Sequence, residues 1–125
     1  MARGLTLDTG ALIALEARRQ RIRQRLELAN DERRLITVPA AVVTEWWRGR
    51  TDLRDDILAG VRVELLTASL AKIAGEALAA VAGPSAVDAI VMASAAQRGD
   101  IVYTSDVPDL QKLARHFPGV RVLRA

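Results

Sequence analysis

The chain has 125 residues, of which half are hydrophobic and 26% are charged; this composition suits one domain with a single core and excludes an intrinsically disordered chain. Its formal net charge of +3 is too small on its own to require a nucleic-acid partner. The absence of cysteine excludes disulfides and thiolate metal sites, and no apolar run approaches the roughly 18 residues that cross a membrane, so we expect a cytoplasmic protein.

Short apolar runs alternate along the chain with longer segments of helical periodicity. We predict strands at residues 5–7, 35–38, 61–66, 101–104 and 120–123. Helices are predicted at about 9–17, 19–33, 39–49, 53–60, 70–82, 85–99 and 107–117. This alternation indicates an α/β fold, in which a central, mainly parallel five-stranded sheet lies between two layers of helices. Residues 1–125 are predicted to form one domain.

Two acidic residues follow predicted strands. Asp8 comes directly after the first strand, and Asp106 follows the fourth. In open parallel sheets, ligands bind beyond the carboxyl ends of the strands, at the point where the strand order reverses. If the first and fourth strands are neighbours, the two carboxylates face each other at that point.

Two further acids lie in helical segments that are otherwise apolar. Glu45 is flanked by valine and tryptophan, and Asp88 stands in the first turn of a helix almost free of charge. An acid in such a setting is expected to face a cleft or to be paired. Each acid also has a simpler interpretation: Asp8 and Asp106 as helix caps, Asp88 as part of a capping box with Ser85, and Glu45 as a residue at the rim of the core.

Carboxylates that share one pocket repel each other unless a cation is present. Mg²⁺ and Mn²⁺ prefer oxygen ligands, and an ion held by several carboxylates activates water for attack at phosphorus. The single histidine, His116, lies far along the last predicted helix, so neither a zinc site nor a histidine general base is expected. The composition therefore favours magnesium or manganese.

Four motifs in this order carry a resemblance to a known family. They are LTLDTGALIAL at 5–15, VVTEWWRG at 42–49, VDAIVMASA at 87–95 and IVYTSDVPDL at 101–110. Together they resemble the PIN-domain ribonucleases and are similar, more narrowly, to the VapC toxins of toxin–antitoxin pairs. The resemblance covers nearly the whole chain and implies a PIN-like three-layer sandwich.

The resemblance also implies an activity and a set of residues. It implies a Mg²⁺- or Mn²⁺-dependent endoribonuclease, the toxin of a type II toxin–antitoxin system, which forms a homodimer and is inhibited by a cognate antitoxin protein. The family's acids fall on residues expected to bind metal and to be catalytic: Asp8, Glu45, Asp88 and Asp106. Asp109 is expected to add negative charge around the site, with a simple helix-start residue as the alternative interpretation. Hydroxyl groups that support the acids or the bound water fall on Thr9 and on Thr104 or Ser105.

Arginines account for all but two of the 18 basic residues and are clustered. Five lie in ARRQRIRQR at 17–25, and a second group comprises Arg48, Arg50 and Arg54. Arginine suits phosphate contacts through its planar donor fork, and Arg48 is a candidate for steering an RNA backbone to the site. The alternative interpretation of these clusters is a solvated helix face.

Two other function classes are weighed against the nuclease. The first is a catalytically weak RNA-binding or partner-binding module with the same fold, which the four acids disfavour because an acidic pocket without a metal repels phosphate. The second is a phosphotransfer enzyme or receiver domain. An aspartyl-phosphate enzyme needs a second acid two residues after the first, and Gly10 occupies that position.

Overall fold

The computed structural model describes residues 3–125 of the chain, and these contain five strands and seven helices. The strands are β1 (Leu5–Leu7), β2 (Ile36–Pro39), β3 (Arg62–Glu64), β4 (Ile101–Thr104) and β5 (Arg121–Arg124). The helices are α1 (Thr9–Glu16), α2 (Gln20–Asp31), α3 (Ala40–Trp46), α4 (Asp52–Ala59), α5 (Ala68–Ala80), α6 (Ala86–Arg98) and α7 (Val107–Ala114). The predicted α/β architecture is confirmed.

Several elements are shorter than the sequence predicts, and three of them differ in an informative way. Helix α3 ends at Trp46 because Trp47 adopts an extended conformation, so the helix stops before Gly49. Strand β3 ends at Glu64, and the apolar residues Leu65 and Leu66 after it are exposed rather than buried. Helix α7 ends at Ala114, three residues before the predicted end.

The five strands form one sheet with the order β3-β2-β1-β4-β5, and every pair is parallel. The chain moves outward from β1 to β3 and then returns to place β4 on the other side of β1. The expected neighbourhood of the first and fourth strands is therefore confirmed. Leu7 lies opposite Tyr103, so Asp8 emerges beside the end of β4 at the reversal of strand order.

The core is built from aliphatic side chains on both faces of the sheet. All three residues of β1 are buried, and helix α6 contributes an almost continuous buried stretch from Val91 to Ala95. Trp46 is 3% exposed and belongs to the core, whereas its neighbour Trp47 is half-buried. No helix among residues 3–125 combines the length and apolar character needed to cross a membrane.

A buried polar network joins the C-terminal end of α6 to the sheet. The Arg98 guanidinium donates to Glu64, to the Asp100 carboxylate at 2.9 Å, and to the hydroxyl groups of Thr6 at 3.0 Å and Ser94 at 2.9 Å. The Thr6 hydroxyl also donates to Asp100 at 2.8 Å. This network holds the edge strand β3 and the central strand β1 to one helix.

Helices α1 and α2 are each followed by an arginine in the left-handed backbone conformation. Arg18 after α1 and Arg33 after α2 have φ angles of 58° and 57°, the left-handed conformation in which glycine is usual. In each case the following amide closes the helix: Arg19 N–H donates to Ala14 and Arg34 N–H donates to Ala29. A side chain in this conformation costs roughly 1 kcal/mol relative to glycine.

Candidate functional site

Asp8 begins the site, at the junction between β1 and α1. Its Oδ1 accepts the Ala11 N–H at 2.9 Å, so the carboxylate caps α1, as the simpler interpretation of the sequence suggests. The residue is only 8% exposed. Burial raises the pKa of Asp8 from its usual 3.8 to about 6, and repulsion from Asp88 adds to the rise while hydrogen bonds from Thr104 and the backbone oppose it.

Thr104, the last residue of β4, links Asp8 to Asp106. Its buried hydroxyl accepts the Asp106 N–H at 2.8 Å, and the same side chain hydrogen-bonds to Asp8. Of the two hydroxyl residues suggested by the sequence, Thr104 makes these contacts, whereas Ser105 is exposed. One hydroxyl group therefore sets the spacing of two acids on neighbouring strands.

Asp106 occupies the position just before α7, yet its side chain makes no capping bond. Instead, a hydrogen bond with the Asp109 carboxyl group raises the pKa of Asp106, and desolvation together with repulsion from Asp109 and Asp88 raises it further. Asp109 is therefore a neighbour of the site as well as a helix-start residue.

Asp88 forms the capping box that the sequence suggests. Its Oδ2 accepts the Ser85 N–H at 3.0 Å, and the Ser85 hydroxyl accepts the Asp88 N–H at 3.1 Å. The charge of Asp88 raises the pKa of both Asp8 and Asp106, which brings the three acids into one electrostatic group. The helices α1, α6 and α7 thus all begin at this edge of the sheet.

Glu45 joins this group through Thr9 rather than directly. The Glu45 side chain is exposed on α3, and its Oε1 accepts the Thr9 hydroxyl at 2.6 Å. Thr9 is the residue after Asp8, so the fourth acid is tied to the first turn of α1. The hydroxyl predicted to support an acid at Thr9 does so.

Gly10 allows the first turn of α1 to lie against the loop after β4. A Cβ at this position would overlap the Ser105 Oγ and lie 2.9 Å from both the Cβ and the backbone nitrogen of Ser105. Only a residue without a side chain permits this approach. Gly10 therefore keeps Asp8 and Asp106 close together.

Gly10→Ala is expected to lower the free energy of unfolding by about 1–3 kcal/mol, the usual cost of overpacking, and to separate the acids. Chemical denaturation measures the loss. Adding Ser105→Gly removes two of the three close contacts and should restore part of it. The matched control is Gly75→Ala on α5, where nothing lies within 4 Å of the new Cβ and stability should rise. Equal effects of the two alanines would contradict this role of Gly10.

The carboxylate oxygens of these acids are suitable ligands for a hard cation, although the side chains are not arranged to coordinate one as they stand. Among residues 3–125, no three side chains of Asp, Glu or His are arranged to hold a metal ion as they stand. Asp8 and Asp88 each use one oxygen to hold a helix start, which leaves the other oxygen for a ligand. Burial is the main cause of the raised pKa of Asp8, with a smaller contribution from repulsion by Asp88, and a bound cation would favour the ionised carboxylate.

The two arginine groups differ in how their charge is balanced. In the second group, Arg50 pairs with Asp52 and Asp55, and Arg54 pairs with Glu16. In the described part of the chain, the arginines of 17–25 have no carboxylate within salt-bridge distance. His116 is exposed after α7 and away from the acids, as expected.

Comparison with known proteins identifies the fold. The family model described as "PIN domain" matches residues 5–115. The chain is similar in structure to DNA-bound VapBC from Salmonella typhimurium, with a TM-score of 0.72, 18% identity and 98% of each chain covered. It is also similar to VapBC2 from Rickettsia felis bound to a promoter DNA fragment, with a TM-score of 0.74, 14% identity, and 97% of this chain and 98% of that chain covered. It is also similar to a toxin–antitoxin complex from Klebsiella pneumoniae (TM-score 0.68, 18% identity, 94% and 95% covered). No curated protein matches the sequence.

Proposed function

The chain belongs to the PIN-domain family, and from this premise we propose that it is a metal-dependent endoribonuclease that hydrolyses phosphodiester bonds of single-stranded RNA. The observation that carries the proposal is the convergence of Asp8, Asp88 and Asp106 at the reversal of strand order, with the pKa of Asp8 raised to about 6. The buried charge of Asp8 lowers the stability of the metal-free protein, and a group of acids that contains it is suited to hold a cation.

Each acid has a distinct role in this proposal. Asp8, Asp88 and Asp106 would hold one or two Mg²⁺ or Mn²⁺ ions. Asp8 and Asp88 would use the oxygen that the helix start leaves free, and Asp106 makes no capping bond that would compete. When bound, the ion neutralises charge that develops on the phosphate and makes water more acidic. Glu45, oriented by the Thr9 hydroxyl, positions the attacking water in line with the scissile bond. Thr104 is a positioning residue, since it acts through Asp8 and Asp106.

We further propose that the protein is the toxin of a type II toxin–antitoxin pair and works in the cytoplasm. The solved structures that it resembles include VapBC and toxin–antitoxin complexes, which supports an antitoxin as its partner. The exposed apolar residues Val63, Leu65 and Leu66 at the edge strand β3 are of the kind that a partner protein covers. The homodimer stays a prediction, which light scattering of the purified protein tests.

Cleavage of a mixed RNA pool by the purified protein tests the activity. We expect cleavage with Mg²⁺ or Mn²⁺, none with chelator, and a loss of at least about 100-fold in Asp8→Asn, since the ion loses a charged ligand. The matched control is Asp56→Asn, an exposed acid on α4, which should retain activity. Cleavage that survives in Asp8→Asn would refute the site. RNA binding without cleavage in any metal would favour the binding module.

A further inference from the structure

The edge strand β3 carries an exposed apolar patch at one end of the sheet. Among residues 3–125, six large hydrophobic residues are exposed, and three of them lie within positions 63–66. Val63 is 40% exposed and Leu65 is 74% exposed, and the exposed Leu66 follows before α5 begins. Single apolar residues are common on protein surfaces, whereas a group of this kind indicates a surface that another chain covers.

The backbone of β3 is open to a further strand. The strand order places β3 at one end of the sheet, where β2 is its hydrogen-bonded neighbour. Arg62 and Val63 are exposed, so a second chain can reach the outer side of the strand. An edge strand turns backbone N–H and C=O groups towards solvent, and these groups can pair with a strand of another molecule.

The sequence VRVEL, which contains β3, is complementary to itself when one copy is reversed. In an antiparallel pair with Val63 opposite Val63 of the second copy, Arg62 lies opposite Glu64 and Val61 lies opposite Leu65. Opposite charges then face each other twice, and apolar residues face apolar residues. A parallel pair in register would instead set arginine against arginine and glutamate against glutamate. The sequence therefore favours the antiparallel pair.

The charged groups of β3 have hydrogen-bonding capacity left for this contact. Arg62 is exposed, and its guanidinium donates to Glu64 of the same strand over a long 3.4 Å. The Glu64 carboxylate also accepts from the Ser94 hydroxyl at 2.6 Å and from Arg98. A carboxylate offers about four acceptor positions, and these contacts use three of them. Glu64 can therefore accept a hydrogen bond from Arg62 of a second copy.

We propose that two copies of the chain associate through antiparallel pairing of their β3 strands, centred on Val63, so that the two sheets become one. The pair has twofold symmetry and closes, because each copy uses the same edge. The inference rests on the homodimer of the proposed function and names its interface. It makes a second copy, rather than the antitoxin, the chain that covers Val63, Leu65 and Leu66.

Light scattering of the purified protein over a series of concentrations tests the interface. Val63→Lys places two ammonium groups against each other at the centre of the pair and should raise the dissociation constant of the dimer roughly 100-fold. The matched control is Leu28→Lys on α2, a half-exposed leucine beside β4 and β5, which adds the same charge and should leave the dimer unchanged. Circular dichroism checks that both variants are folded.

Cysteine crosslinking tests the register, since the chain has no cysteine of its own. Directly opposite residues of antiparallel strands have Cα atoms about 4.5–5.5 Å apart, a distance that a disulfide spans. Val63→Cys should therefore form a covalent dimer on oxidation, at least about tenfold faster than Leu65→Cys. The two copies of position 65 are four residues out of register, or about 13 Å apart along the pair. Because Leu65 is the more exposed residue, random collisions would favour it instead.

The outcomes separate the interface from the homodimer itself. A dimer that persists in Val63→Lys, without faster crosslinking at position 63, would keep the homodimer and overturn the β3 interface. Equally fast crosslinking of the two cysteine variants would overturn the antiparallel register. A wild-type protein that stays monomeric at every concentration would overturn the homodimer and the interface together. RNA cleavage enters neither measurement, so the nuclease proposal is tested independently.

Discussion

Asp8→Asn is expected to raise the free energy of unfolding of the metal-free protein by about 3 kcal/mol at pH 7.5, because a pKa shift of roughly two units corresponds to this energy. The carboxyl group has a pKa of about 6 when folded and its usual value of 3.8 when unfolded. The folded state therefore holds the proton more tightly, and the ionised group opposes folding increasingly as the pH rises above 3.8 and to its full extent above pH 6. Asparagine removes this charge and still caps the helix.

The stability difference between Asp8→Asn and the wild type should depend on pH, because the folded wild type binds the proton more tightly than the unfolded chain. As the pH falls from 7.5 through 6 towards 3.8, the folded wild type takes up the proton, its penalty disappears, and the advantage of Asp8→Asn should shrink to nearly zero. Denaturant titrations at several pH values in the presence of chelator measure the difference. Asp56→Asn, the exposed control, should change stability by less than about 0.5 kcal/mol at every pH.

Magnesium should largely cancel this difference in stability. The ion binds the folded wild type and not the unfolded chain, so at one hundred times its dissociation constant it adds about 2.7 kcal/mol to the free energy of unfolding. Asp8→Asn should gain far less. A pH-independent difference between the two proteins, or a destabilising effect of asparagine in chelator, would contradict the raised pKa of Asp8.

Arg98→Met is expected to lower the free energy of unfolding by about 3–5 kcal/mol, the cost of breaking a buried ion pair by removing one partner. The substitution leaves the carboxylate of Asp100, which is only 2% exposed, without its cation, and it leaves Glu64 with the more exposed Arg62 alone, at 3.4 Å. The hydroxyl groups of Thr6 and Ser94 also lose a donor. Thermal and chemical denaturation both report the loss.

Removing the charges of Glu64 and Asp100 shows whether Arg98→Met loses stability through unpaired charge or through lost packing. If Arg98→Met is combined with Glu64→Gln and Asp100→Asn, much of the lost stability should return, because no unpaired charge then stays buried. Arg115→Met, at an exposed arginine after α7, serves as the control and should cost less than about 0.5 kcal/mol. A loss that persists in the triple variant would show that the methylene packing of Arg98, and not its charge, is what matters.

The sequence predicted the fold well because its signals are local. Periodicity and the glycine at the end of α6 placed that helix within a residue of its observed bounds, and β1 and β4 were placed without error. The alternation of strands and helices then implied a parallel sheet, and the sheet implied that Asp8 and Asp106 meet at one edge. The end of β3 was missed because Leu65 and Leu66 read as buried strand although they are exposed.

The contacts within the site were harder to foresee, since they depend on rotamers and on residues distant in sequence. Asp8 and Asp88 each cap a helix, as the simpler interpretation has it, and they also influence each other's charge at the sheet edge, while their role in metal binding stays a prediction. The bridging role of Thr104 needs the register of β1 against β4.

The position of β1 in the sheet determines when the acids can meet during synthesis. This first strand lies at the centre, and its neighbour β4 is made last but one, so Asp8 and Asp106 are separated by almost the whole chain. At the usual 5–20 residues per second, a ribosome needs about 5 to 20 s between these two acids. A chain released before β4 is made keeps β1 without one partner and cannot bring these two acids together.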